Sequence, residues 1–293
     1  MIVEPPGLDS SVSAIARGPR VARAELGFVR GSDDATFLAR QYAEYPFHLC
    51  RPFWIDGDPP GLATLYLQSC SGGLFRGDRV DLSIVVEESA EAHVTTQAAT
   101  IVHDGEGEWT EQRTQIEARP GSFLEYLPDP LILFPGARLS TTVRARLHEG
   151  ATLVVADGFL QHDPFGTGRT FDRLTSELSV ETTAGSLLAL DRFAIDGREL
   201  AMGQPGVMGR YRAHASMIVV GGAVAGEALV AALRTAIGGV PGLYGGASSL
   251  PAGVGTWSRM LARDAVALRA GMAAAWSAVR TVLRGSPPPP RRK

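Results

Sequence analysis

Residues able to hold a transition metal are sparse in this sequence. Six histidines, His48, His93, His103, His148, His162 and His214, and two cysteines, Cys50 and Cys70, are scattered over 293 residues. A tight metal site needs three or more such ligands converging, commonly paired as in HExxH or CxxC, and neither motif occurs. His48 and Cys50 would share one face of a strand, two residues apart. A histidine beside a hairpin is more often a hydrogen-bonded structural residue. Acyl-transfer chemistry has no nucleophile elbow GxSxG. The glycine-rich segment SGGLFRGD, residues 71–78, lacks the Lys and Ser/Thr that complete a phosphate loop, and no GxGxxG opens a helix. These residue types and spacings assemble no catalytic or metal-binding constellation, so the elements that carry them decide what they do.

Those elements are strands. Four times the sequence runs through an alternating apolar strand, a turn and a second apolar strand: DLSIVVEESAEAHVTTQ from Asp81, RTQIEARPGSFLEYLPDP from Arg113, STTVRARLHEGATLVVADG from Ser140 and SELSVETTAGSLLALDR from Ser176. Period-2 alternation marks half-buried strands. The turns near Ala90, Gly121, Gly150 and Gly185 recur about every 30 residues, the range of stacked repeat architectures. A strand–turn–strand unit cannot bury its apolar face alone, so the units must cover one another. Past Arg210 the pattern changes to a buried strand in ASMIVVGG, a short amphipathic helix in GEALVAALRTAIGG and a longer helix from Trp257. In that last helix Met260, Ala267, Met272 and Trp276 share an apolar side, which reads as core.

The expected fold is thus a mainly β scaffold of stacked or helical sheets with two C-terminal helices. Its parts are a disordered tail over residues 1–19, one β-rich domain over 20–284 with its helical portion at about 224–284, and a Pro/Arg-rich disordered tail over 285–293. With 45% hydrophobic and 20% charged residues the chain can build a sizeable core, and a net charge of −3 gives no electrostatic reason to bind nucleic acid. Two cysteines, no secretory signal and no apolar run of about 18 to 20 residues point to a cytoplasmic protein without a membrane segment.

Two loops carry more constraint than a connection needs. SGGLFRGD gathers three glycines before an aspartate, which implies close backbone approach or positive φ, and LPDPLILFPGA from Leu127 frames an apolar strand with prolines. Read in order, YPFHLCRPF, LYLQSCSGGLFRGDRV, TTQAAT, LEYLPDPLILFPGARLSTT and PGLYGGAS resemble the UreD (UreH) family of urease accessory proteins. The resemblance extends from about Ala24 to the last helix.

The resemblance implies a non-catalytic scaffold that binds UreF and through it the GTPase UreG, docks on apo-urease, and offers an internal passage for Ni²⁺, with no cofactor permanently bound. A transit path suits oxygen ligands that release a divalent ion. On the family's pattern these are Asp78 in the SGGLFRGD loop, Thr100 at the end of TTQAAT and Asp157 in VVADG, with Glu125 and Asp129 extending the lining. The ordinary role of such carboxylates is a turn cap or a surface charge. The sequence departs from the family at GTGRTFDRLTSE, where a Gly-Glu after Gly168 and Arg169 is missing, and at TTQAATIVHDG, where Val102 and His103 replace a basic residue and a tyrosine. The competing reading is a β-rich metal-dependent or polysaccharide-acting enzyme using Asp78, Asp157 and His103.

Overall fold

A computed structural model describes residues 18–55, 59–222 and 226–291. Residues 1–17 of the expected N-terminal tail and residues 292–293 of the C-terminal one lie outside the described residues. The chain opens with β1 (Val21–Arg30), β2 (Thr36–Ala43), β3 (Phe47–Leu49) and β4 (Ala63–Ser69). It continues through β5 (Arg79–Val86), β6 (Glu91–Thr96), β7 (Ile101–Val102), β8 (Thr110–Ala118), β9 (Phe123–Tyr126) and β10 (Leu131–Leu133). Then come β11 (Arg138–Leu147), β12 (Thr152–Gln161), β13 (Arg173–Thr182), β14 (Leu187–Asp196) and the short helix α1 (Gly197–Ala201). The last part holds β15 (Ala213–Gly221), α2 (Gly226–Gly238), β16 (Leu243–Ser249), β17 (Gly255–Ala262) and α3 (Ala265–Arg284).

The repeats form a stack, by a different unit from a hairpin. In the first three, the strand before the turn and the strand after it belong to different sheets that face each other. One sheet runs β14-β13-β11-β8-β5-β1-β2 and the other β16-β17-β15-β12-β9-β6-β4-β3. Each unit therefore adds one strand to each sheet, and successive units pair in parallel: β5, β8, β11 and β13 in the first sheet, β4, β6, β9 and β12 in the second. The crossing points need backbone that ordinary residues avoid. Ser89, Gly121 and Gly150 have φ of 58°, 63° and 72°. The turns stack like the strands, with the Ser89 N–H donating to the Pro120 carbonyl at 3.0 Å and the Gly121 N–H to the Glu149 carbonyl at 3.2 Å. Only the fourth repeat, β13 and β14, is an antiparallel hairpin.

Between the sheets lies one apolar cluster containing Leu26, Phe28, Ile84, Leu124 and Leu153 and another containing Val80, Leu139, Phe159 and Phe171. A third packs α2 and α3 against the outer face of the second sheet, through Val154, Met217, Leu233, Leu268 and Val279. β15 is covered on both faces, so its sequence is nearly all apolar. The outer face of the first sheet is charged and open, with Arg144 and Glu177 3.6 Å apart across β11 and β13.

The helix expected from Trp257 begins later, because residues 255–262 form β17 and pair with both β15 and β16. Thr256, Ser258, Met260 and Ala262 are buried in alternation, a strand period inside a stretch rich in helix formers. Asp264 starts α3, its carboxylate accepting the Ala267 N–H at 2.8 Å, and Gly285 with φ of 79° ends it. The region expected to be helical thus also holds β16 and β17, and Met260 lies on a strand.

One buried ion pair pins α3 to the sheet. Glu125 of β9 is fully buried and accepts from Arg280 at 2.8 and 2.6 Å, from the Trp276 indole at 3.0 Å and from His93 Nδ1 at 2.8 Å. Burial pushes the Glu125 carboxyl up, but its hydrogen bonds to Arg280 and His93 pull it down to about 2. Burial also lowers His93, which keeps its ring neutral. A carboxylate depressed below its ordinary 4.5 contributes stability above that pH and loses it as pH falls toward 2. Glu125→Ala removes the carboxylate that holds the buried Arg280 guanidinium in a bidentate pair and should cost about 3–5 kcal/mol. The double variant Glu125→Leu/Arg280→Met should cost clearly less and show a flatter decline between pH 4.5 and 2, both read from urea midpoints.

Candidate functional site

Strand alternation decides which of the candidate residues reach the interior. On β12 Leu153, Val155, Asp157 and Phe159 point between the sheets, while Val154 and Ala156 point at the helices. On β9 Leu124 and Tyr126 point inward and Glu125 points out, under α3. Asp157 therefore enters the interior and Glu125 does not.

The interior there is polar. In-register pairing aligns Gln112 of β8 with Thr141 of β11, and Thr141 with Ser176 of β13, so three adjacent parallel strands present polar side chains at one height. Opposite them stands Asp157, whose carboxylate accepts from the Ser176 hydroxyl at 3.1 Å and from the Ser216 hydroxyl at 2.5 Å. This band parts the two apolar clusters of the interior. Two adjoining cavities run along it, of about 340 and 60 Å³, and share Thr96, Thr100, Gln112 and Tyr126. The larger is also lined by residues 71–74, before the Arg76–Asp78 end of the glycine-rich loop, and the smaller ends at Asp129, Asp157 and Ser176. Thr100 thus lines both cavities.

The electrostatics single out Asp157. Burial pushes its carboxyl above the usual carboxylate range, opposed by the hydroxyls of Ser216 and Ser176 and by the charge of Arg259. Arg259 is itself paired with Asp191 of β14. Asp157 lines the smaller cavity, and its side-chain partners among the described residues are hydroxyls and not a guanidinium. Gln112 Oε1 lies buried in the same band and takes no hydrogen bond from the described residues.

Asp78 is engaged elsewhere. It caps its own loop, accepting the Phe75 N–H at 2.9 Å, and it accepts the Arg20 backbone N–H at 3.0 Å and the Arg20 guanidinium. Burial would raise its carboxyl, but the hydrogen bonds from Arg20 and Phe75 hold it below the usual range. The close backbone approach expected of this loop is present: at Gly73 a Cβ would stand 2.3 Å from the Ile101 carbonyl. His103 stacks on Phe75 with ring centres 4.3 Å apart. Asp78 and His103 are thus both committed to the loop, and neither lines the cavity that Asp157 borders. His48 bonds Gln68 at 2.8 Å, and no group of three His, Cys, Asp or Glu side chains among the described residues is arranged to hold a metal. At the departure near Arg169, Asp163 organises the loop by accepting the Phe165 and Gly168 N–H groups at 3.3 and 2.8 Å.

Sequence reading missed Gln112, Thr141, Ser176 and Ser216. The signal that marks them is a polar residue at an inward position of an otherwise alternating strand.

The family model for the UreD urease accessory protein matches residues 20–293. A protein of Pseudomonas syringae pv. syringae (strain B728a) named Urease accessory protein UreD 1 is 40% identical over 92% of this chain and 95% of its own length. Urease accessory protein UreD 1 of Methylorubrum extorquens (strain PA1) is 42% identical over 96% and 95% respectively. Urease accessory protein UreD 2 of Streptomyces griseus subsp. griseus is 34% identical over 94% of each chain.

Two variants separate the roles of the aspartates. Asp157→Asn removes a buried charge while keeping hydrogen-bonding groups for both serines, and should match or exceed the wild type in urea midpoint at pH 7. Because the folded-state pKa is raised, the wild type should gain on the variant as pH falls through that value toward 3.8. Asp78→Ala takes from the Arg20 guanidinium its carboxylate, leaving it the Gly73 carbonyl at 3.1 Å, and leaves two backbone donors unbonded, and should lose about 2–4 kcal/mol.

Proposed function

Because the chain belongs to the UreD family of urease accessory proteins and so has a role in urease maturation, we propose that it is a non-catalytic scaffold through which Ni²⁺ enters apo-urease. In this reading it bridges urease to UreF and, through UreF, to the GTPase UreG, in the cytoplasm. No helix among the described residues is long and apolar enough to cross a membrane.

The observation that carries the proposal is the polar band, with Asp157 in it, running between two sheets that elsewhere pack apolar side chains. A band of oxygen donors through an apolar interior costs stability unless something polar uses it. Hydroxyl, amide and carboxylate oxygens suit transit, since Ni²⁺ is better served by imidazole nitrogen and is held less tightly by oxygen. Thr100, Asp129 and Asp157 form the path; Asp78 and Glu125 hold the wall around it through Arg20 and Arg280. The raised carboxyl of Asp157 adds a condition, because an arriving cation must displace any proton it holds. Nickel is the cargo in this reading, and the scaffold keeps none.

Coexpression of apo-urease with the other accessory proteins, with and without this chain, tests the scaffold; loss of both urease nickel and activity without it is the expected result, and unchanged values would sink the reading. Asp157→Asn, folded and binding its partners normally, should lower urease nickel several-fold. Normal nickel in that variant would move the path away from Asp157.

A further inference from the structure

The chain keeps making contacts after α3 ends. Residues 288–291 form one wall of a cavity of about 280 Å³, closed on its other sides by His93 and Thr95 of β6, Asp129, and Met272 and Trp276 of α3. The Arg291 guanidinium stands 4.9 Å from the centre of the Trp276 ring, fifteen residues earlier in the chain, so the segment after Gly285 runs back along the helix. The Trp276 ring is fixed for this contact. Its indole N–H is bonded to Glu125 at 3.0 Å, and its face stacks on His93 with ring centres 4.9 Å apart.

The chemistry on the two sides matches. A run of prolines is already extended and loses little conformational freedom on docking. An arginine at its end gains a cation–π contact on an immobilised indole. A carboxylate, Asp129, stands in the lining as well. This is the pattern by which aromatic grooves take proline-rich segments.

We propose that residues 287–291 are an intramolecular strap, anchored by Arg291 on Trp276, that occupies a peptide-recognition groove between α3 and the β6–β9 side of the second sheet. A segment of the same chemistry, prolines followed by arginine, enters only when the strap leaves. The groove and the polar band share Pro128 and Asp129, which lie between them. The strap therefore lies outside the wall of the band; that consequence rests on the passage reading, whereas the strap itself does not.

The test uses the indole N–H resonance of Trp276, identified by its loss in Trp276→Phe, in the full chain, in a chain ending at Gly285, and in full-length Arg291→Ala. Both altered chains should shift this resonance, and the synthetic peptide SPPPPRRK should return it in the shortened chain. A tethered tail acts at an effective concentration of roughly millimolar, so the full chain should need about tenfold more peptide or stay unresponsive. An unmoved resonance in both variants, or equal peptide saturation of the full and shortened chains, overturns the strap. Because no arm measures nickel, failure of the strap leaves the passage standing, and Asp157→Asn failing to alter urease nickel leaves the strap standing.

Discussion

Parallel stacking in register is the constraint from which the rest of this molecule follows. Each unit places its strand directly on the one before, so a given height in one unit fixes the height of its neighbours, and the facing sheet does the same. A polar side chain turned inward cannot be met by water at the surface; it must find partners at its own level. Gln112, Thr141 and Ser176 are aligned in that way, and the facing strand supplies Asp157. The band is therefore a property of the stack and of no single residue. Its height is set by the turns at Ser89, Gly121 and Gly150, at the far ends of the same strands.

The same constraint explains why only one sheet carries helices. A stack of two-layer units has two outer faces. The first sheet presents charge on its outside, as in the Arg144 and Glu177 pair, and needs no cover. The second presents Phe123, Val154, Met217 and Val219, and would be a large apolar patch without α2 and α3. Close contact needs small residues: at Gly271 of α3 a Cβ would meet Leu243 at 2.8 Å. Glu125 and Arg280 then fix the helix in one register on the sheet. Packing alone selects a face, while a bidentate buried pair selects a position.

The repeat, its period and its turn residues were all legible in the sequence, because period-2 alternation and glycine at a turn leave local marks. The partner of each strand was not legible. A hairpin and a crossing between facing sheets need the same alternating strands and the same glycine, and differ only in which distant strand completes the hydrogen bonds. β17 was missed for a related reason: TWSRML has helix-forming residues, yet Thr256, Ser258 and Met260 are buried between two strands that propensity cannot see. Asp78 was assigned to the passage by resemblance, and its partner Arg20, 58 positions away, left no local mark. Thr100 and Asp157 were placed by resemblance and Asp129 by its place beside the proline-rich element, and the geometry brings those three, without Asp78 or Glu125, to the lining of the interior.

The buried carboxylates differ in what was given to them. Asp78 has Arg20, Glu125 has Arg280, and Asp191 has Arg259. In each case a guanidinium neutralises the charge and directs it to a structural task. Asp157 has Ser176 and Ser216 instead, groups that orient a carboxylate without cancelling it, and burial raises its carboxyl accordingly. An aspartate there costs more than an asparagine would, since an asparagine keeps both hydroxyls bonded and carries no charge to desolvate. A fold selected for stability alone would have little reason to hold that carboxyl in its interior, beside a cavity and an amide oxygen with no partner among the described residues. A carboxylate held by hydroxyls is open to something positive that comes and goes, and for that reason the proposed passage is drawn through the interior band and not through the better-bonded Asp78 loop.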